Sequence, residues 1–103
     1  MTDVVLIFST VPEDWDVAGL ADALVRDGLA ACVQVSPVMT STYRWQGTIE
    51  TARERQVVIK TTADRVAAVE ATLHARHPYQ VPEFLVVGVQ GGSGAYLNWI
   101  AGG

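Results

Sequence analysis

Residues 30–60, AACVQVSPVMTSTYRWQGTIETARERQVVIK, decide the fold of this chain. Two strand-like runs flank Gln46 and Gly47, a spacing typical of a tight β-hairpin in which Gly47 takes the positive φ that such turns require. At about 3.3 Å per residue each arm reaches about 45 Å. A domain of about 100 residues has a radius of gyration near 13 Å, so part of the hairpin is predicted to project.

The tip of this hairpin carries apolar side chains at Tyr43, Trp45 and Ile49. A lone hairpin cannot bury them, and contiguous exposed apolar surface usually marks an interaction site. Neighbouring copies of the chain offer free strand edges under closed cyclic symmetry. We therefore expect the hairpin to be an assembly arm. Pro37 cannot donate to a strand ladder, so the first arm is expected to bend there.

The composition is that of one globular domain spanning residues 1–103. Half of the residues are hydrophobic and 17% are charged, which is far from the composition of disordered chains. The net charge of -4 is scattered along the sequence, so neither nucleic acid nor an acidic membrane surface is expected as a partner.

The cellular compartment is predicted from cysteine usage and from the lack of targeting patterns. The single cysteine, Cys32, cannot form an intrachain disulfide and fits a reducing compartment. No apolar stretch approaches the roughly 18 residues of a membrane helix, and the N-terminus lacks the pattern of a secretory leader. A cytoplasmic protein that does not enter the membrane is the expectation.

The remaining elements complete an α+β pattern. They are a central strand at residues 4–10, a helix that opens at residues 12–14 and stops at Gly28, a second helix at 63–76, a buried strand at 84–89 and a short helix capped by Ser93. Apolar stripes at helical spacing support the two longer helices: Val17, Leu20, Ala21 and Leu24 in the first, and Val66, Val69 and Leu73 in the second. This order predicts a ferredoxin-like split βαβ sandwich with a long hairpin between its second and third strands and a short C-terminal helix.

Motifs of the common enzyme classes do not occur in the sequence. It contains no Walker phosphate loop, dinucleotide fingerprint, nucleophile elbow or paired-cysteine zinc motif. A small phosphatase of the acylphosphatase type needs an anion-cradling loop with an arginine after the first strand, and residues 9–12 provide none. An RNA-binding sheet needs exposed aromatic residues among basic ones, and the apolar strands at 4–10 and 84–89 do not have this pattern. Because the enzyme motifs are absent as well, we expect a protein that is not an enzyme.

Several polar residues near the end of the second helix could bind a metal ion. His77 precedes Pro78, so it leaves the helical region and can turn into a cleft. An imidazole and a carboxylate such as Glu83 suit copper, zinc or nickel. The alternative is that His77 only meets backbone carbonyls, as helix-ending histidines often do. His74 is expected on the solvated side of its helix.

Three further residues have both a structural and a functional interpretation. Cys32 is a third candidate metal ligand, but an apolar setting without a neighbouring basic residue favours a small buried packing residue. Glu50 and Lys60 are predicted either to pair with each other or, together with Tyr79, to line a cleft that binds a small anion or metabolite.

Several short motifs follow one another in a fixed order along nearly the whole chain. They are Ala31-Cys32-Val33, the SxYxWxGxIE segment at 41–50, the HPYxxPE segment at 77–83 and YLNWI at 96–100. Together they resemble the CutA divalent-cation tolerance proteins. The resemblance implies a ferredoxin-like subunit in an intertwined homotrimer, similar in architecture to the PII signalling proteins, with a role in tolerance of copper and other divalent metals.

The sequence departs from the family pattern at positions that matter for copper. Some members carry a cysteine near the end of the first strand and a histidine pair before the Pro-Tyr dipeptide. Here these positions hold Ser9 and the pair Arg76-His77, so only His77 carries over as a ligand. Arg55 also stands where an apolar residue is usual, and Gly88 where a proline is usual.

Three functions follow as expectations. The first is a trimeric protein of metal tolerance that holds a divalent ion such as copper through His77, Glu83 and Cys32. The second is a PII-like regulatory trimer that binds a small anion or metabolite between subunits, near Glu50, Lys60 and Tyr79. The third is an oligomeric scaffold for a protein partner.

Overall fold

A computed structural model describes residues 2–102. Along the chain, the elements are β1 (Val4–Pro12), α1 (Val17–Arg26), β2 (Cys32–Val35), β3 (Met39–Trp45), β4 (Thr48–Thr62), α2 (Val66–Arg76), β5 (Leu85–Gly88) and α3 (Gly94–Ile100). A short 3-10 turn, Ala63–Arg65, leads into α2.

All strands belong to one antiparallel sheet in the order β2-β4-β1-β5. β1 lies inside the sheet between β4 and β5, as predicted for a central strand. β2 and β3 pair with successive parts of β4 and behave as one bent strand. This is the predicted α+β, ferredoxin-like arrangement, because two strand-helix-strand units share a single sheet.

The core lies between one face of the sheet and the two longer helices. Alternate strand residues point to opposite faces, and on β1 the residues Val5, Ile7, Ser9 and Val11 are buried. The predicted apolar stripes of both helices meet this face, since Leu20 and Leu24 of α1 and Val69 and Leu73 of α2 have no exposed surface. Burying each such side chain contributes about 1.5–3 kcal/mol.

The first helix begins later than predicted. β1 continues to Pro12, which pairs with Glu54 of β4, and a turn follows in which the Trp15 backbone N–H donates to the Pro12 carbonyl at 3.1 Å. Asp16 then caps α1 by accepting from the Gly19 N–H at 3.0 Å. Trp15 therefore lies outside the helix. The predicted end of the helix is confirmed, because Gly28 has φ 72°.

β5 is shorter and more exposed than the predicted buried strand. It covers only Leu85–Gly88 and pairs with β1 alone, at the edge of the sheet. Leu85, Val86 and Val87 are 58%, 45% and 46% exposed. The prediction of burial was wrong for the single chain, because an edge strand with no helix over it lacks neighbours. β5 therefore leaves an apolar edge free.

The long hairpin has the predicted turn. Gln46 and Gly47 both have positive φ, 50° and 81°, as a two-residue hairpin turn requires. β4 is 15 residues long, but β1 pairs only with the part from Glu54 onward and the Arg53 carbonyl accepts from the Glu13 N–H, so residues 48–52 project with β3. The chain is accordingly elongated, with extents of 44, 26 and 24 Å.

The bend between β2 and β3 lies at Ser36 and Pro37, where the sequence placed it. The Ser36 hydroxyl accepts a hydrogen bond from the Gln56 N–H at 2.7 Å. Arg55 spans the same region, since its guanidinium donates to the Ser36 carbonyl at 3.3 Å and to the Glu13 carbonyl at 3.4 Å. A charged side chain at this strand position is therefore satisfied by backbone oxygens.

Candidate functional site

A cleft of about 700 Å³ lies between the β3 arm of the hairpin, from Met39 to Trp45, and the loop after α2. One wall is the β3 residues that share a face, Met39, Ser41, Tyr43 and Trp45, and the opposite wall is the loop at 78–83. The floor is formed by residues of β1 and β4 on the sheet face away from the helices, namely Thr10, Glu54 and Gln56. The two-residue period of the strands brings these side chains together.

Glu54 is the most buried carboxylate of the cleft, with 6% of its surface exposed. The Tyr79 hydroxyl donates to Glu54 Oε2 at 2.7 Å. Burial, the hydrogen bond to Glu54 and the charge of Glu54 all raise the pKa of Tyr79 far above its ordinary value of 10.0. Tyr79 therefore stays a neutral phenol that stabilises the Glu54 carboxylate.

Glu83 is the second carboxylate that lines the cleft. Partial burial, followed by the negative charge of Glu54, raises its pKa above the ordinary value of 4.5. Its backbone is fixed because the buried Ser9 hydroxyl donates to the Glu83 carbonyl at 2.8 Å. Within residues 2–102 the ion pairs are Arg26 with Asp22 and Arg53 with Glu13, so neither cleft carboxylate is neutralised by a salt bridge there.

His77 is buried behind the cleft, and backbone groups engage both of its ring nitrogens. Nε2 lies 2.7 Å from the Thr10 carbonyl, and Nδ1 accepts the Tyr79 N–H at 3.1 Å. A carbonyl only accepts and an N–H only donates, so these partners require a neutral ring with its proton on Nε2. The ring also stacks on Trp15 at a centroid distance of 5.8 Å. His77 meets backbone, as its alternative interpretation proposed, and coordination of a metal would require breaking one of these bonds.

Cys32 lies on β2, away from His77 and Glu83, and it is only partly buried. It sits directly opposite Lys60 in the sheet. The prediction of a buried thiol without a basic neighbour was therefore wrong, because Cys32 is only partly buried and strand pairing places Lys60 opposite it. Lys60 Nζ donates to the Tyr96 hydroxyl at 3.0 Å and lies 5.3 Å from the centre of that ring. This hydrogen bond is the main cause that raises the pKa of Lys60.

Glu50 lies far from Lys60, on the projecting part of the same strand, opposite Tyr43. Ten residues of strand separate Glu50 from Lys60, which is about 33 Å. The predicted pairing of these two side chains does not form within the chain, and neither residue lines the cleft that contains Tyr79. A metabolite site that combines these three residues would need contributions from more than one subunit.

The metal candidates are likewise not assembled in one chain. Glu83 faces the cleft, His77 lies behind it and Cys32 is on another strand. In the part of the chain that the structure describes, no three His, Cys, Asp or Glu side chains are close enough together to hold a metal ion.

Glu54 is the residue that sequence reasoning missed. The two-residue alternation along β4 pointed to this residue, because Glu54 and Gln56 share one face of the strand and Arg53 and Arg55 share the other. Only the pairing register of the sheet shows that the face with Glu54 meets Tyr79.

Comparison with known proteins identifies the family. The model of the CutA1 divalent ion tolerance protein matches residues 5–102. The chain belongs to the CutA1 family. The curated divalent-cation tolerance protein CutA of Thermus thermophilus is 40% identical over 100 residues, which cover 97% of this chain and 95% of that protein. The CutA protein of Pectobacterium atrosepticum is 39% identical, with 97% and 91% covered.

Solved CutA structures share the fold. CutA from Xylella fastidiosa superimposes with a TM-score of 0.91 at 48% identity, covering 96% of this chain and 95% of that one. A structure described as the periplasmic divalent cation tolerance protein CutA from Archaeoglobus fulgidus gives a TM-score of 0.89 at 30% identity, with 94% of each chain covered. Among residues 2–102 of this CutA1 chain, no helix is both long and apolar enough to span a membrane.

We predict that Tyr79→Phe destabilises this CutA1 chain. The substitution removes the donor to the buried Glu54 carboxylate, so the free energy of unfolding should fall by about 1–3 kcal/mol in denaturant titrations at fixed protein concentration. Tyr43→Phe is the matched control, because it deletes one hydroxyl from the same cleft on a ring that is 43% exposed. Equal effects of the two substitutions would contradict the role assigned to Tyr79.

We predict that Glu83→Gln stabilises the protein at neutral pH and not in acid. A carboxyl whose folded-state pKa is raised contributes stability below its unfolded pKa, and this contribution is lost as pH rises through the folded pKa. The wild type should therefore lose stability relative to Glu83→Gln as pH rises above about 4.5, the ordinary value. Thermal unfolding at pH 4 and pH 7 measures the difference, with Glu70→Gln on α2 as control. A difference that is the same at both pH values would refute the raised pKa that burial and the charge of Glu54 give to Glu83.

Proposed function

We propose that this CutA1 protein acts in divalent-cation tolerance as a homotrimer, by binding a cation rather than by catalysis. The names of its curated relatives support the link to divalent cations. The observation that carries the proposal is the pair of carboxylates, Glu54 and Glu83, that face one cleft without a basic side chain among its lining residues.

A divalent cation at this cleft would have oxygen ligands from the protein. The negative charge of Glu54 is one cause of the raised pKa of Glu83, so a cation between the two carboxylates would relieve their repulsion. Carboxylate oxygens suit hard divalent ions such as manganese and magnesium. In this proposal Glu54 is held in place by its hydrogen bond from Tyr79, and Glu83 supplies the second carboxylate.

Copper binding is the narrower part of the proposal. Copper prefers imidazole and thiolate ligands, yet His77 is bound to backbone at both nitrogens and Cys32 lies elsewhere in the sheet. These donors do not fit a copper site within one chain. We therefore propose weak copper binding through Glu83, with His77 joining only where its ring gives up the hydrogen bond from the Tyr79 N–H.

The homotrimer is proposed from the surfaces that a single chain leaves open. Trp45 and Ile49 at the hairpin are 39% and 60% exposed, and the apolar edge strand β5 is uncovered. Residues 48–52 of β4 pair with β3 alone. Unpaired strand edges next to apolar side chains are what neighbouring copies can satisfy in a closed ring.

The cytoplasm is the proposed compartment, supported by the single cysteine. The relative from Archaeoglobus fulgidus is described as periplasmic. Cell fractionation with detection of the native protein distinguishes the two locations.

We predict that divalent ions bind the metal-free protein and that Glu83→Gln weakens their binding. Calorimetric titration with manganese(II) should show an affinity loss of about tenfold, which is about 1.4 kcal/mol, whereas Glu70→Gln should leave binding unchanged. Copper(II) should bind with at best micromolar affinity. Stoichiometric copper binding below one micromolar that survives both Glu83→Gln and His77→Ala would contradict the ligand assignment and the expected weakness.

We predict that light scattering at low micromolar concentration gives three times the 11.1 kDa mass of the chain. An obligate assembly buries well over about 2,000 Å² around an apolar centre, so Trp45→Glu, which places a charge there, should lower both the measured mass and the soluble yield. Val25→Glu on the outer side of α1, where Val25 is 47% exposed, is the control. A wild-type mass of one subunit, or an unchanged mass in Trp45→Glu, would refute the hairpin as assembly arm.

A further inference from the structure

Ser9 carries a buried hydroxyl group in a row of β1 side chains that otherwise pack the core. Its neighbours on the same face, Ile7 and Val11, are apolar, and all three side chains have no exposed surface. A buried hydroxyl group costs free energy unless it has a hydrogen-bond partner. Ser9 has one, since it donates to the Glu83 carbonyl at 2.8 Å. The hydroxyl therefore links the core to the loop that carries a carboxylate of the cleft.

This hydrogen bond lies just beyond the point where the ladder between β1 and β5 stops. At one end of the pairing the Val89 N–H donates to the Val4 carbonyl at 3.0 Å, and the last pair at the other end is Phe8 with Leu85. Hydrogen-bonded pairs alternate along an antiparallel ladder. The next such pair would therefore contain Thr10.

Side chains replace backbone groups at this missing pair. The register would place Glu83 opposite Thr10, but the Thr10 carbonyl lies 2.7 Å from Nε2 of His77, and the Glu83 carbonyl accepts from Ser9. Among residues 2–102, the bond from Ser9 is the hydrogen bond that reaches residues 80–84. The backbone of Glu83 is therefore held by one side chain of the core.

The side chain of Glu83 extends from this anchored backbone into the cleft. Partial burial, and then the charge of Glu54, raise the pKa of Glu83, so the two carboxylates are near enough to repel each other. Glu54 is held by the hydrogen bond from Tyr79. A carboxylate on a free backbone could turn away from its neighbour towards water, and the bond from Ser9 opposes this movement.

We infer that Ser9 is a positioning residue of the candidate site, whose hydroxyl holds the Glu83 backbone so that the carboxylate stays beside Glu54. The consequence for cation binding rests on the proposed function, because it assumes that a divalent ion enters between these carboxylates. The placing of Glu83 itself needs no metal. Because Ser9 is already fully buried within the single chain, contacts between copies neither cover nor uncover it.

Manganese(II) titration of the assembled protein tests the consequence for binding, with light scattering to check the oligomeric state. Ser9→Ala should weaken binding by about threefold or more, as changes to residues that orient a metal ligand do. Thr61→Val is the matched control, because it removes another fully buried hydroxyl that donates to a backbone carbonyl, that of Leu29 at 2.6 Å. Thr61 does not line the cleft, so this variant should bind manganese unchanged.

Ser9→Cys is a second variant of similar size, because a thiol is only a weak donor. It should weaken manganese binding less than Ser9→Ala does, and it takes the place of Ser9→Ala if that variant does not fold. Unchanged manganese affinity in the folded Ser9 variant, or an equal loss in Thr61→Val, would overturn the inference.

A double-mutant cycle separates positioning from a general loss of structure. If Ser9 acts through the Glu83 carboxylate, Ser9→Ala should cause no further loss of manganese affinity in the Glu83→Gln background. A structural role alone would weaken binding by the same factor in both backgrounds, and that result would contradict the inference.

Thermal unfolding without metal distinguishes this inference from the proposed function. At pH 7 and fixed protein concentration, Glu83→Gln should raise the unfolding midpoint of the wild type, because it removes a partly buried and repelled charge. In the Ser9→Ala background the rise should be at most about half as large, since a released carboxylate can reach water. Equal rises, or no rise in the wild type, would refute the placing of Glu83 by Ser9. If the wild type binds no manganese, the proposed function fails and this cycle alone decides the inference.

Discussion

The pairing of β1 with β4 is the interaction on which the rest of the structure depends. Its register runs from Val4 opposite Thr62 to Pro12 opposite Glu54. A slip of one residue would turn every side chain of one strand to the other face. Ile59 would then leave the core, and Glu54 would point at the helices with no partner. One register therefore fixes both the hydrophobic core and the acidic floor of the cleft.

The cleft exists because β5 is short. β5 pairs with β1 only from Val5 to Phe8, so on that side the last residues of β1 have no strand neighbour. The loop after α2 uses this free edge: Ser9 donates to the Glu83 carbonyl, and His77 donates to the Thr10 carbonyl. Buried backbone oxygens need such partners. The result is a loop that is fixed at two points while its Tyr79 and Glu83 side chains face the cleft.

The sequence predicted well those features that arise from neighbouring residues. Gln46 and Gly47 define their own turn, Gly28 ends its own helix, and the apolar stripe of α1 needs only a period of 3.6 residues. The start of α1 was predicted too early, since Pro12 is compatible both with the first turn of a helix and with the end of a strand. Only pairing with Glu54 selects the strand.

The candidate site was less predictable, because its contacts join residues that are distant along the chain. The hydrogen bond from Tyr79 to Glu54 and the juxtaposition of Cys32 with Lys60 both depend on register and on the path of a loop. Residue type alone also misleads for His77. An imidazole before Pro-Tyr suggests a ligand, but two backbone partners give it a structural role in this chain.

The burial of Glu54 has an energetic cost that bears on the proposed cation site. A carboxylate with 6% exposure loses most of its hydration, and a single hydrogen bond from a phenol does not replace a counter-ion. The neighbouring Glu83 adds a second negative charge and is itself disfavoured in its ionised form. Hydrophobic packing elsewhere in the chain must offset this cost. Under the proposed function, a cation between Glu54 and Glu83 would offset part of this cost, which is the physical reason for placing the proposed cation contact here.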